Sequence, residues 1–153
     1  MKVYWAFLLL SSLLCTLFSN AVFSAEPSDA DSPYFIEGYD VVSYFRDTGP
    51  QLGWIDLSTE YNGKKMLFAS ETNLADFLVN PDIYMPAYDG YCAYGMVYGM
   101  KSKIDPLQYD IVDGRLYLQL DQGTKWRWNR KISRYIKKSD KAWKKLSVLS
   151  DNN

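Results

Sequence analysis

The chain has 153 residues, 17 of them basic and 18 acidic, and 48 % are hydrophobic. That length holds one domain and hardly two, and an aromatic content of 16 % excludes low-complexity disorder. Histidine is absent, which excludes a Ser–His or Cys–His catalytic pair within the chain and removes the commonest metal ligand.

Lys2 gives a short positive start, Val3 to Phe23 is an uncharged apolar run, and the small residues Ser24 and Ala25 close it. This pattern predicts a secretory signal peptide over residues 1–25, and therefore a periplasmic or secreted protein. The same run is nearly long enough to span a bilayer, so a membrane anchor is the alternative. Cys15 follows Leu14 rather than a small residue, which does not fit a lipoprotein site. Residues 26–33 (EPSDADSP) read as a polar, proline-bounded linker. The domain is placed over residues 34–149. Once the leader is cut, Cys92 is the one cysteine left, so no internal disulfide can form.

"GYDVVSYF", from Gly38, reads as a short buried helix or turn, and "RDTGPQLG" as a loop. Asn62-Gly63 and Asp113-Gly114 each sit between β-prone runs and predict two hairpins with type I′ turns. In the second hairpin Leu116, Leu118 and Leu120 alternate with Tyr117 and Gln119, as in a strand with one apolar face. Between the hairpins, "SETNLADFLVNP" predicts a helix capped by Ser70 and ended before Pro81, with Leu74, Phe77 and Leu78 as its apolar stripe. From Thr124 the chain reads as helical and basic. Ile132, Ile136, Trp143 and Leu146, with Tyr135, Ala142 and Leu149 beside them, form one apolar face. Ten Lys or Arg residues lie between Lys125 and Lys145, against the single acid Asp140. No internal repeat is evident. The elements add up to a small single-domain α+β fold with two β-hairpins, a central helix and a C-terminal helical segment.

"GYDVVSYF", "EYNGKKMLFAS", "NLADFLVNPDIYMPAYDGYCAYG", "IVDGRLYL" and "DKAWKKL" occur in this order from Gly38 to Leu146. The chain resembles the exported bacterial branch of the YHS-domain family. The most informative part of the resemblance is F-L-x-N-P-x-x-Y-x-P-x-Y-x-G-Y-C-A-Y, Phe77 to Tyr94. The resemblance implies a small α+β fold with hairpin strands and a helix that carries the Phe77–Tyr84 element. It also implies metal binding through cysteines before the first strand and at the end of the second. This chain departs there: Val41 and Val42 occupy the first region and Ala69 the second, which leaves Cys92.

Four features could carry chemistry. Cys92, Met96 and Met100 are four residues apart and would share a face of a helix. Thiolate and thioether select Cu(I), so copper is the cofactor candidate, but the expected role of the row is core, with Cys92 a buried thiol. Tyr84, Tyr88, Tyr91, Tyr94 and Tyr98 could stack a planar ligand or form an amphipathic rim. Asp82, Asp89, Asp105 and Asp110 could do acid–base work or shape turns. The basic C-terminal helix could contact a membrane surface or form a solvated face. Nucleic acid is not an expected partner of an exported protein. The leading expectation is a binding or accessory module for an unknown protein or small ligand, without catalytic machinery of its own. The alternatives are a periplasmic copper-binding protein using Cys92 and methionines, and an enzyme with a tyrosine-lined pocket.

Overall fold

A computed structural model describes residues 32–150, with side chains to 148. The expected signal peptide over residues 1–25, nearly all of the expected linker over 26–33, and the side chain of Leu149 lie outside the described residues. The described chain is the expected α+β arrangement. Two antiparallel hairpins, β1 (Trp54–Tyr61) with β2 (Lys64–Phe68) and β3 (Asp105–Val112) with β4 (Arg115–Gln119), form separate two-stranded sheets. Helix α1 (Glu71–Val79) lies between them in sequence, followed by a short α2 (Ala93–Met96). Helices α3 (Gln122–Asn129) and α4 (Ile132–Ser150) close the chain.

Both hairpin turns have left-handed backbone at their two central positions. Asn62 and Gly63 have φ of 50° and 71°, and Asp113 and Gly114 have 51° and 75°. These are the I′ angles that suit the right-handed twist of the strands.

The structure contains an internal repeat that the sequence pattern does not announce. Trp54 pairs with Phe68, a bulge follows, and Ser58 then pairs with Leu67. In the second hairpin Asp105 pairs with Gln119, a bulge follows, and Tyr109 then pairs with Leu118. Every pair is offset by 51 residues. Each hairpin leads into a helix capped by the same side-chain chemistry: Asn73 N–H donates to Ser70 Oγ, and Thr124 N–H to Asp121 Oδ1. Each is preceded by a tight left-handed turn, Ile36-Glu37-Gly38 in the first unit and Tyr88-Asp89-Gly90 in the second. Tyr39 N–H closes the first turn onto Ile36 O, and Tyr91 N–H the second onto Tyr88 O, both at 3.1 Å. Four of these turn residues are not glycine and adopt a left-handed conformation that costs about 1–2 kcal/mol each. Its presence in both units marks a shared framework.

Each unit has its own core. Ile36, Val41, Val42, Tyr44, Met66, Phe68 and Phe77 fill the first, joined by Leu116 and Leu118 from β4. Ala87, Tyr88, Ala93, Met96, Tyr117 and Trp128 fill the second, covered by Ile132, Tyr135, Ile136, Trp143 and Leu146 of α4. Strand β4 is therefore buried on both faces, not one: Leu116, Tyr117, Leu118 and Gln119 are all buried, while Leu120 is exposed. The expected stripe on α1 is also shifted. Phe77 is buried and Leu74 half-buried, but Leu78 is exposed and Asn73 is buried instead. The cause is polar. Asn73 Nδ2 donates to the buried carboxylate of Asp40 at 2.6 Å, and that bond sets the rotation of the helix.

Candidate functional site

The two units carry different chemistry at the buried position that follows the left-handed turn. In the first, Asp40 Oδ1 accepts the N–H groups of Val42 and Ser43 at 2.8 and 3.4 Å, and Oδ2 accepts Ala69 N–H at 2.9 Å as well as Asn73. Its carboxylate thus ties the turn to the end of β2 and to α1. In the second unit the same place is held by Cys92. Cys92 Sγ accepts Gly95 N–H at 3.4 Å, and Gln119 Oε1 accepts Tyr94 N–H at 3.1 Å. The thiol itself donates to Gln119 Oε1 at 3.7 Å. Cys92 is 1 % exposed and caps α2. A thiol and an amide together satisfy the two N–H groups after the turn that one carboxylate satisfies in the first unit, and tie them to β4.

The three sulfurs do not form the expected row. Helix α2 ends at Met96, and Gly99 turns the chain left-handed at φ 73°. Gly99 N–H bonds Met96 O and Met100 N–H bonds Gly95 O, a Schellman-type stop. Cys92 and Met96 are buried, whereas Met100 lies beyond the stop and is exposed. The shared helical face that would have made Cys92, Met96 and Met100 a copper site is absent.

The tyrosine row also separates. Tyr84 packs on Phe45 and Phe77 at the edge of the first core. Tyr88 is buried in the second, where its hydroxyl donates to Asp140 Oδ1 at 3.0 Å. Burial, and then that bond, raise its pKa well above the ordinary phenol value. Tyr91 packs on Trp143, and Lys101 lies over both rings. Of the four aspartates, Asp89 holds a left-handed turn position and Asp105 Oδ1 accepts Leu107 N–H in a local turn. Asp82 opens a 3₁₀ turn and accepts the hydroxyl of Tyr61 at 2.7 Å. Asp110 is not at a turn. It lies within β3, where burial raises its pKa above the usual carboxylate value.

What the fold does assemble is a cleft of about 260 Å³ between α2, α3 and the start of α4. It is lined by Tyr94, Trp126, Arg127, Arg130, Lys131 and Tyr135. Helix α3 is fixed at its start by a reciprocal cap: Asp121 N–H donates to Thr124 Oγ1 while Thr124 N–H donates to Asp121 Oδ1. The Thr124 N–H, and then the Thr124 hydroxyl, donate to the Asp121 carboxyl and hold it below its usual range. The helical run is interrupted at Arg130-Lys131, and the cleft lies at that joint. The Arg130 guanidinium lies 4.9 Å from the centre of the Trp126 ring. Tyr94 meets Tyr135 edge-on at 5.2 Å, and Tyr135 stacks on the buried Trp128 at 6.2 Å. The Tyr94 phenol is pushed up to about 12, first by its bond to the Tyr98 hydroxyl and then by burial. It is a neutral hydroxyl at physiological pH.

Three cations and three aromatic rings therefore line one cleft, and no carboxylate lines it. The positive end of the α4 dipole lies at the same joint. Among the lining residues Tyr94 was singled out by the tyrosine spacing. Arg127, Arg130 and Lys131 belong to the basic count of the C-terminal segment and Tyr135 to its apolar face, while Trp126 is in neither group. The signal was the alternation of aromatic and basic residues in "KWRWNRK", residues 125–131. No family model, curated protein or solved structure matches the chain.

Proposed function

We propose that this protein is an exported binding or accessory module of the YHS type, whose ligand is a small anion carrying a planar ring. The observation that carries the reading is the lining of the α3–α4 cleft: Arg127, Arg130 and Lys131 beside Trp126, Tyr94 and Tyr135. Guanidinium groups bind carboxylate or phosphate through paired N–H bonds, and aromatic faces take a flat ring. A volume of about 260 Å³ suits a single-ring molecule. The neutral Tyr94 hydroxyl adds a donor without adding negative charge. Cys92 and Asp40 are buried and do not line the cleft, which supports reversible occupancy over covalent chemistry.

Calorimetric titration with phenyl phosphate, inorganic phosphate and phenol tests this reading. Phenyl phosphate is expected to bind saturably, inorganic phosphate more weakly, and phenol not at all. Arg127→Gln and Arg130→Gln are each expected to weaken phenyl phosphate by about tenfold, the worth of one charge-assisted pair. No saturable heat from phenyl phosphate up to roughly 10 mM would remove the proposal.

A further inference from the structure

Helix α4 carries a second basic feature that the cleft does not use. Arg134, Lys137, Lys138, Lys141, Lys144 and Lys145 recur at spacings of three, one, three, three and one. At 100° per residue these six fall within about one third of the helix circumference, opposite the face that packs on the second core. All six are exposed. No ion pair among the described residues holds any of them. The one acid of the helix, Asp140, stands at the edge of the arc and faces Tyr88 and Arg115, at 3.0 and 3.9 Å.

The bland account is a solvated helix face, and ordinary solvated faces mix the two signs. Here each cation has another three or four residues away, an arrangement that destabilises a helix unless something anionic covers it. The helix cannot roll to turn this face away from solvent. Ile132, Ile136, Trp143 and Leu146 pack on the core, and the buried Ser139 Oγ donates to Ala93 O at 2.9 Å. The result is a fixed straight row of positive charge about 16 Å long. The rest of the domain has the opposite balance. From Tyr34 to Thr124 acids outnumber bases, whereas from Lys125 to Lys145 ten bases face one acid. A segment so rich in one sign attracts an anionic surface even though the chain as a whole is close to neutral. Five of the six are lysine. Lysine is a compact, strongly hydrated charge that suits a diffuse anionic layer more than paired recognition of individual phosphates.

We infer that the outer face of α4 is a docking surface for an anionic lipid bilayer, with the helix lying flat along it. This inference does not depend on the ligand of the cleft. Each basic residue near such a surface multiplies partitioning by about fivefold.

The test uses the full chain with vesicles of phosphatidylcholine alone and of phosphatidylcholine mixed with phosphatidylglycerol. Two readouts are taken, co-sedimentation and acetylation of lysines. Anionic vesicles are expected to protect Lys137, Lys138, Lys141, Lys144 and Lys145 while Lys64 and Lys65 stay reactive. Neutral vesicles should protect none of these, and salt that shortens the Debye length to about 3 Å should abolish the protection. Replacing all six cations by glutamine should cut the preference for anionic over neutral vesicles at least hundredfold. The footprint on the unaltered chain stands independently of how that variant folds. It also separates docking by α4 from insertion of the apolar run at residues 3–23, which would not protect α4. Equal partitioning into both vesicle types with the α4 lysines still reactive would overturn the inference. Protection by duplex DNA without protection by anionic vesicles would overturn it as well, and would assign the face to nucleic acid.

Discussion

Cys92 and Gln119 define the residue scale of this protein. The thiol is buried, accepts one backbone N–H and donates to an amide oxygen, so its chemistry is directed inward. In the native protein Cys92 is expected to react with a thiol reagent far more slowly than in the unfolded chain, and rapid native labelling would contradict the described burial. Gln119 matters more. Its Oε1 is the acceptor for Tyr94 N–H, and Gln119→Leu strands that donor inside the protein. Loss of a buried partner costs about 1–3 kcal/mol, which denaturant melts would register. Cys92→Ala should cost less than Gln119→Leu, because Oε1 keeps its stronger partner. The burial of Cys92 was legible from its apolar neighbours. Gln119 was not, because its partners lie 25 and 27 residues away and a glutamine between leucines reads as the solvent side of a strand.

At the scale of elements, local chemistry was readable and long-range polar contacts were not. Both hairpins, the Ser70 cap and the stop before Pro81 follow from one or two residues each. The phase of α1 does not, since Asn73 displaces Leu78 to reach Asp40 on another segment. Phe77 remains the anchor of that helix, in contact with Tyr61, Phe68 and Tyr84. Phe77→Ala should cost about 3–5 kcal/mol. A loss below about 1 kcal/mol would mean that the ring is exposed. Asp110 gives a pH prediction for β3. Burial is the main cause of its raised pKa, Lys125 and Asn129 oppose it, and Oδ2 is buried without a partner. A raised folded pKa means that the native state binds this proton at higher pH than the unfolded chain does. Ionised Asp110 therefore opposes folding at neutral pH, and the penalty disappears as pH falls through the folded pKa to the unfolded value near 3.9. Asp110→Asn is expected to melt at higher temperature than the unaltered protein at pH 7, with the gap closing at pH 3. A lower melting temperature for the variant at pH 7 would show that the ionised carboxylate is used, through Lys125.

At the scale of the whole molecule, the repeat makes two cores and β4 joins them. The duplication was hidden because the two units share little sequence beyond their Gly-Tyr turns and x-Gly hairpins, while the strand register and helix caps that reveal it are three-dimensional. Leu116 and Leu118 belong to the first core and Tyr117 to the second, so neither unit can lose its packing without exposing a face of the same strand. Two compact units joined by a linker would unfold in two steps. A shared buried strand removes that option, because opening either core uncovers residues whose backbone is held by the other. One cooperative transition is therefore expected, with tryptophan fluorescence and far-UV circular dichroism coincident in denaturant. Three of the four tryptophans after residue 25 lie in the second unit and its helices, so fluorescence reports mainly on that part. Circular dichroism reports on both. Phe77→Ala in the first core and Trp128→Ala in the second should each move the whole transition to lower denaturant, by the equivalent of about 3–5 kcal/mol. Neither should split it. If Trp128→Ala lowered the fluorescence midpoint while part of the dichroism transition stayed in place, the first unit would be folding alone, and β4 would be a neighbour of that core and not one of its walls.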